Sequence, residues 1–359
     1  MRTLFLHIGF PKTGSSALQS WLSLNAVALV QQGIGYADLA PRAKHGEPTS
    51  GNGFVLFNAL REQDTSRVEK LVADTYFTGT ANRTAVVSSE FLPALSKQKL
   101  LQLRELCADH NIEVRIIAYV RSPYERAYSA YVQDLKTKGR ADPFGFADIA
   151  ENLERTRSYL LKYLRVFRGC VTVLNYDDRQ RTIFEAFAQA TGMDLEKLEL
   201  LDKRVNRSLT NAEVSIMRRL NALHDGRFAR PLSKHLLRSA PGRPTPFPYD
   251  EQLLRRVRAE SLEGLEWINT TFGVTPPVGP DLLGHDKPPA LLQNDPREIY
   301  DLVASWLLAF TPEPDDAVEF TAFIGAVMAV LENTATDKEL LRECNARAQQ
   351  LIRTAGNSE

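Results

Sequence analysis

Cysteine is scarce in this chain, with three residues among 359, and the three lie far apart at Cys107, Cys170 and Cys344. A disulfide framework needs an even number of cysteines, and a structural zinc site needs Cys or His pairs at short intervals. The sequence contains neither pattern. The cysteine content therefore favours a protein of a reducing compartment that has no disulfide scaffold.

The chain also has no excess of positive or negative charge, because 44 Lys and Arg residues are balanced by 44 Asp and Glu residues. A protein that attracts a polyanion through its overall field carries a clear positive net charge. We therefore expect neither nucleic acid nor an anionic membrane surface as a partner.

Long hydrophobic runs are missing as well. A membrane-spanning helix needs about 20 consecutive apolar residues, and the most apolar late segment, residues 320–331, is shorter and is typical of a buried helix. The first apolar run, residues 4–8, contains His7 and is followed by Lys12 instead of a small-residue cleavage site, so it does not indicate a secretory signal. We expect a cytoplasmic protein without a membrane span.

Short apolar runs alternate with helical patterns through the first half of the chain. Strands are predicted at residues 4–8, 84–88, 114–120 and 171–174, and helical periodicity follows each of them. Strands that alternate with helices form parallel sheets through right-handed crossovers, with helices on both faces. We therefore predict an α/β fold with a parallel β-sheet flanked by helices, whose ligands bind beyond the carboxyl ends of the strands.

The second half of the chain is predicted to be helical from residue 211 onward. Helices are predicted at residues 211–224, 249–272, 299–310, 318–331 and 338–354, and proline-rich breaks at 241–248 and 276–296. We place a domain boundary after residue 275 and interpret residues 276–359 as a C-terminal helical extension. This extension is our candidate surface for a partner or for a second copy of the chain.

A glycine-bounded loop lies between the first strand and the first helix, at residues 9–16 with the sequence Gly-Phe-Pro-Lys-Thr-Gly-Ser-Ser. In such a layout, backbone N–H groups and the positive end of a helix bind phosphate oxygens. Gly9 and Gly14 keep the interval of the nucleotide-binding P-loop, but Ser15 stands where that loop has its lysine, and Lys12 lies inside the loop. The sequence therefore predicts a phosphate-binding site in a protein that is not an NTPase.

A second candidate phosphate site follows the third strand. Arg121 comes directly after that strand and is followed by Ser122, Pro123 and Glu125. These three form a capping-box pattern with proline at the first helical position, so the start of the helix is well defined. Ser129 lies two turns further along the helix, on the side of the loop that carries Arg121. A guanidinium at a strand end and a hydroxyl on the following helix can bind one phosphate between them.

Together the two motifs resemble those of the sulfotransferases that use 3′-phosphoadenosine 5′-phosphosulfate (PAPS). The segment at residues 11–16 is similar to the family's 5′-phosphosulfate loop, and Arg121 with Ser129 is similar to its 3′-phosphate motif. The resemblance covers roughly residues 1–275 in layout. It implies a transferase with the P-loop-like sulfotransferase fold, and we expect a bacterial member of the family.

The resemblance also implies a role for each matching residue. The residues that match the family's 5′-phosphate donors are Thr13, Gly14, Ser15 and Ser16. Lys12 matches the lysine that stabilises the leaving group, and Tyr176, at the end of the fourth strand, matches a tyrosine near the adenine. Arg207 lies in a segment that closes over the nucleotide in bacterial relatives, although a helix cap at Thr210 beside exposed arginines explains that segment equally well. No metal ion is required for this chemistry.

Transfer to an acceptor hydroxyl also needs a general base. Glu90 comes directly after the second strand, where cytosolic members of the family have a histidine, and it is our candidate base. A carboxylate can take this role when partial burial lifts its pKa toward neutrality. The alternatives are that Glu90 caps the next segment or pairs with Lys12 or Arg121. His45, in a polar loop, is the second candidate base.

The predicted function is transfer of the sulfuryl group of PAPS to a hydroxyl, or in second place to an amine, of a carbohydrate or lipid-linked acceptor. The acceptor is thus a small molecule or a glycan. The alternative is a P-loop small-molecule kinase or NTPase, and Ser15 at the lysine position argues against it. A third hypothesis is a nucleotide-binding scaffold without catalysis, and the presence of Lys12, Arg121 and Ser129 argues against that one.

Overall fold

A computed structural model of the chain describes residues 1–39, 41–45, 49–79, 81–179, 182–201, 209–238, 249–283, 324–325, 327–328 and 338–356. These residues divide into two units. The first unit contains the described residues within 1–127, 146–205 and 255–285, and the second unit contains those within 128–145, 206–254 and 286–359. Every described site residue that the sequence predicts, except Ser129, belongs to the first unit.

Among the described residues, five parallel strands form one sheet in the order β2-β3-β1-β4-β5. The strands are β1 (Arg2–Ile8), β2 (Ile34–Gly35), β3 (Thr84–Ser89), β4 (Ile112–Val120) and β5 (Val171–Asn175). The predicted α/β class with a parallel sheet flanked by helices is therefore confirmed. The sequence did not predict β2, because a strand of two residues is too short to show a periodicity.

Helices cover both faces of this sheet. The first nine along the chain are α1 (Ser15–Leu24), α2 (Ala26–Gln31), α3 (Gly53–Glu62), α4 (Thr65–Ala73), α5 (Lys97–Asp109), α6 (Pro123–Thr137), α7 (Phe146–Val166), α8 (Tyr176–Arg179) and α9 (Ile183–Thr191). Short 3₁₀ helices lie at Pro41–His45, Thr75–Phe77, Leu92–Ala94 and Leu195–Lys197. Helix α6 begins in the first unit and continues in the second.

Alternate residues of the central strand face two separate hydrophobic cores. Leu4 and Leu6 of β1 belong to the core that includes residues of α3, α4, α5 and α7. Phe5 belongs to the other core, with Trp21 of α1 and Phe187 of α9. Side chains alternate between the faces of a strand, so a strand that is covered on both sides is apolar at successive positions. This burial explains the continuous apolar run in β1.

The strand order also determines where a ligand can bind. The chain leaves β1 toward β2 on one side of the sheet and leaves β4 toward β5 on the other. The carboxyl ends of β1 and β4 are therefore a switch point, where open parallel sheets bind their ligands. The glycine loop follows β1 and Arg121 follows β4, so both predicted phosphate motifs lie at this point.

The described part of the second unit is helical. Besides the later part of α6 it contains α10 (Asn211–Leu223), α11 (Ala229–Arg238), the beginning of α12 (Glu251–Glu260) and the C-terminal helix Lys338–Gly356. Helix α10 begins with a capping box, in which the Thr210 hydroxyl accepts from the Glu213 N–H at 3.2 Å. The core of this unit contains Leu135, Met217 and Cys344.

Some predicted elements differ from the structure. The helix predicted over 249–272 is two helices, α12 and α13 (Leu262–Phe272), because the Ser261 hydroxyl donates to the carbonyl of Val257 and bends the chain. The C-terminal helix is confirmed, whereas the helix predicted at 299–310 and the loop at 241–248 lie outside the described residues. The boundary after residue 275 stays a prediction. No described helix is both long and apolar enough to cross a membrane.

Candidate functional site

The loop between β1 and α1 needs glycine at two positions. The N–H of Gly9 donates to the carbonyl of Ser89 at 3.1 Å, and a Cβ at Gly9 would lie 2.5 Å from Ser15 Oγ. Gly14 has a φ of 75°, in the left-handed region that glycine adopts without steric penalty. A Cβ there would also lie 2.6 Å from Ile183 Cδ1. The glycines of the motif therefore permit the close packing of the loop.

Two hydroxyl groups hold the loop from within. Thr13 Oγ1 donates to the carbonyl of Phe10 at 2.7 Å, and Ser15 Oγ donates to the same carbonyl at 3.3 Å. Gly14, the N-cap of α1, provides no side-chain cap for the first turn of the helix. Ser16, in that turn, is exposed. The N-terminus of α1 therefore has the arrangement of N–H groups that binds anions in other proteins.

Lys12 lies at the tip of the loop in a strained conformation. Its φ is 66°, which costs a non-glycine residue about 1–2 kcal/mol. Its carbonyl accepts from Arg121 Nη1 at 3.4 Å, and its charge lowers the pKa of Glu90. The fold thus brings Lys12, Glu90 and Arg121 together at the carboxyl edge of the sheet, although they are far apart in the sequence.

Asp177 determines the direction of the Arg121 side chain. Its Oδ1 accepts from Arg121 Nε at 3.2 Å, and its Oδ2 accepts from the N–H of Ser122 at 2.6 Å. The side chains of Arg121 and Asp177 are 15% and 8% exposed, so water has little access to the pair. Sequence reasoning missed this contact, because the pairing depends on β5 lying beside β4. The available signal was a carboxylate shortly after a strand end.

Tyr176 lies between the loop and Arg121. A Cβ on Gly14 would lie 2.9 Å from Cε2 of the tyrosine, and the guanidinium carbon of Arg121 is 5.5 Å from the centre of the ring. This distance allows a cation–π contact. Burial raises the pKa of Tyr176, and the charge of Arg121 acts in the opposite direction. Tyr176 is therefore part of the same cluster, and its role beside an adenine stays a prediction.

Glu90 directly follows β3 and is an exposed residue. Desolvation raises the pKa of Glu90, while the charge of Lys12 lowers it. A raised pKa is what a carboxylate needs to act as a base near neutral pH. The neighbouring Phe91 ring lies 4.8 Å from Phe54 and 5.6 Å from Phe57, measured between ring centres. In the chain, Glu90 therefore comes directly before a residue of an aromatic cluster.

Three further residues were predicted for the site. His45 ends a 3₁₀ helix, and Ser129 is half-buried on the part of α6 that belongs to the second unit. Arg207 lies outside the described residues. The roles of these three residues stay predictions.

The described part of the chain contains no group of three or more His, Cys, Asp or Glu side chains that could hold a metal ion. The independence from metal that the family resemblance implies stays a prediction.

Sulfotransferases are among the solved structures that are similar to this chain. One is the sulfotransferase from Alicyclobacillus acidocaldarius, with 14% identity and a TM-score of 0.41 over 76% of this chain and 97% of that chain. Another is the sulfotransferase domain from the curacin biosynthetic pathway, with 13% identity and a TM-score of 0.33 over 73% of this chain and 98% of that one. No family model and no curated protein matches the chain. At such low identities and TM-scores, these similarities do not assign an activity to this chain.

Proposed function

We propose that this protein is a sulfotransferase that transfers the sulfuryl group of PAPS to a hydroxyl group of a carbohydrate or lipid-linked acceptor. The proposal rests on the contact between the two phosphate motifs, in which Arg121 Nη1 donates to the carbonyl of Lys12. Two cationic side chains at one switch point suit a ligand that carries negative groups at two places. Ser15, at the position of the P-loop lysine, makes an NTPase the weaker hypothesis.

In this proposal the glycine loop binds the 5′-phosphosulfate group and Arg121 binds the 3′-phosphate. The 5′ contacts come from the N–H groups of Thr13, Gly14, Ser15 and Ser16 and from the exposed Ser16 hydroxyl. Tyr176 flanks the adenine, and Ser129 and Arg207 add contacts to the nucleotide. The Asp177 carboxylate supports this assignment, because it holds Arg121 at the end of β4 before any ligand arrives. A preorganised guanidinium loses little side-chain freedom when an anion binds.

The transfer step uses Glu90 and Lys12. Glu90 takes the proton of the acceptor hydroxyl as its oxygen forms a bond to sulfur. The bond between sulfur and the bridging oxygen of the donor breaks, and adenosine 3′,5′-bisphosphate leaves with the negative charge. Lys12 stabilises that charge where it develops, as cationic groups do in phosphoryl transfer. The opposing influences on the pKa of Glu90 support a base that is ionised and still able to accept a proton.

The aromatic cluster beside Glu90 supports an acceptor that has an apolar face. Phe54, Phe57 and Phe91 are all half-buried, so part of each ring remains accessible. A sugar ring or a lipid chain offers an apolar surface that can cover these rings while a hydroxyl reaches the carboxylate. This is the basis for a carbohydrate or lipid-linked acceptor in the proposal.

The decisive experiment is isothermal titration with adenosine 3′,5′-bisphosphate and, separately, with ATP and Mg²⁺. We expect the wild-type protein to bind the bisphosphate with a Kd on the order of micromolar and to bind ATP more weakly. Arg121→Ala should lose most of the affinity for the bisphosphate. Arg115→Ala is the matched control, because Arg115 lies on β4, the strand that Arg121 follows, but is exposed and paired with Glu113.

A preference for ATP with Mg²⁺ would favour the kinase hypothesis over the sulfotransferase. Bisphosphate binding that is equal in the wild type and in Arg121→Ala would show that the 3′-phosphate is not bound by this arginine. Either result would overturn the proposal.

A further inference from the structure

Arg126 is a buried cation that lies against the glycine loop. The residue is 3% exposed, and its Nε donates to the carbonyl of Pro11 at 3.3 Å. Its Nη1 donates to the carbonyl of Asn152 at 3.4 Å and to the hydroxyl of Thr156, both on α7. The guanidinium carbon also lies 5.3 Å from the centre of the Phe10 ring. One side chain therefore ties α6 and α7 to two residues of the loop.

The partners that surround this guanidinium are neutral. They are two carbonyls, one hydroxyl and one aromatic ring, and no described carboxylate lies within ion-pair distance of Arg126. Burial is the main cause that lowers the pKa of Arg126 to about 10, and the positive charges of Arg155 and Arg121 lower it further. The side chain is still charged at neutral pH. A buried charge without a counter-ion is unfavourable, and an anion bound at the neighbouring loop would offset part of that cost without contacting the guanidinium.

Arg126 and Arg121 hold two successive carbonyls of the loop. Arg126 binds the carbonyl of Pro11, and Arg121 binds the carbonyl of Lys12 at 3.4 Å. In a trans peptide the C=O of one residue and the N–H of the next point in opposite directions. The two arginines therefore turn the N–H groups of Lys12 and Thr13 away from the guanidinium groups, toward the other side of the loop.

We propose that Arg126 is a positioning residue that holds the glycine loop in its anion-binding conformation and adds a positive charge behind it. This inference rests on the proposed function, since the anion is taken to be the 5′-phosphate end of the donor. Arg126 does not touch the ligand. It acts through the peptide groups at residues 11–13, and through its charge, which is felt strongly because the surroundings contain little water.

The geometry also explains why the residue is arginine. Its planar group donates from Nε to the loop and from Nη1 to α7, and lies near the ring of Phe10. A lysine carries the same charge but cannot donate in two fixed directions or stack in the same way. Arg126→Lys should therefore keep the charge behind the loop and lose the bridge between the loop and α7.

The test compares two ligands that differ in the position of one phosphate. Isothermal titration with adenosine 5′-phosphate and with adenosine 3′-phosphate is carried out on the wild type, Arg126→Met and Arg126→Lys. We expect Arg126→Met to weaken the binding of adenosine 5′-phosphate roughly tenfold, as the loss of a charged hydrogen bond does. The Kd for adenosine 3′-phosphate should stay within about twofold of the wild-type value. Arg126→Lys should show a smaller loss with the same selectivity.

Arg157→Met is the matched control. Arg157 is on α7 and is also cationic, but it is 43% exposed and pairs with Glu154. Its replacement should leave the affinities for both ligands unchanged. The melting temperature of each variant is measured alongside, and if Arg126→Met does not fold, the same comparison is made with Arg126→Lys.

The outcomes separate this inference from the proposed function. If the wild type binds neither adenosine 3′,5′-bisphosphate nor the two monophosphates, both proposals are wrong. If the wild type binds them and the folded Arg126 variant loses affinity for both monophosphates equally, or for neither, the positioning role is wrong and the proposed function stands. A selective loss of affinity for adenosine 5′-phosphate supports both proposals.

Discussion

The two edges of the sheet in the first unit both carry arginines but hold them differently. At the carboxyl edge, Arg121 and Arg126 are shielded from water and donate to carbonyls of the glycine loop. Asp177 adds an ion pair to Arg121. The neighbouring strands and helices therefore hold each guanidinium group in one orientation.

At the amino edge, the starts of β4 and β5 border a cavity of about 590 Å³ that also contains arginines. Arg104, Arg165 and Arg168 line it, and all three are exposed. Arg104 donates to the carbonyl of Val166 at 3.2 Å. The amino edge thus has at least as many cations as the carboxyl edge, but water screens them. Burial and orientation, rather than the number of arginines, therefore distinguish a candidate anion site.

The largest effect is expected from Lys12→Ala, which removes the charge that we assign to the leaving group. Removing one such stabilising group lowers kcat by about 10²–10³-fold, and we expect a loss of this size in a transfer assay with PAPS. Lys97→Ala, at the exposed start of α5, is the control and should keep full activity. Unchanged product formation by Lys12→Ala would contradict a catalytic role for Lys12 at the carboxyl edge.

The next largest effect is expected from Glu90→Gln, measured as the pH dependence of kcat/KM. Partial desolvation raises the pKa of Glu90 more than the charge of Lys12 lowers it, so the wild-type kcat/KM should fall as the pH drops through a value above the ordinary glutamate range. Glu90→Gln should lower kcat by about 10²-fold and remove this acidic limb. Glu113→Gln, in the amino-edge cavity, should leave the profile unchanged. An acidic limb that persists in Glu90→Gln would point to another base, with His45 as the next candidate.

Asp177→Asn tests whether orientation is what sets the carboxyl edge apart. The amide keeps the size of the side chain but loses the charge that pairs with Arg121. We expect the Kd for adenosine 3′,5′-bisphosphate to rise roughly tenfold. The neighbouring Asp178→Asn, at an exposed position, should have no comparable effect. Equal affinities in the wild type and Asp177→Asn would mean that Arg121 is held well enough without its partner.

The smallest effect is expected from Arg168→Ala at the amino edge. Because the side chain is exposed, the free energy of unfolding should change by no more than about 0.5 kcal/mol. The affinity for adenosine 3′,5′-bisphosphate should stay the same, as measured by titration. A clear loss of affinity would show that the amino edge also takes part in donor binding, and the comparison of the two edges would then fail.

Much of the fold is predictable from the pattern of apolar residues, because long buried elements repeat it. The strands β1, β3, β4 and β5 were predicted close to their observed bounds. The two-residue β2 and the break at Ser261 were not predicted, since neither changes the periodicity around it.

The candidate site also contains some residues that local sequence predicts and others that only the fold brings together. Local spacing and a position after a strand predict the glycine loop and Arg121 as site residues, and the family resemblance predicts Glu90. The pairing of Asp177 with Arg121 and the position of Arg126 behind the loop depend on the tertiary structure. These contacts join residues 56 and 115 positions apart, and they depend on the order of the strands. Strand order follows from how whole elements pack, and no local pattern in the sequence encodes it.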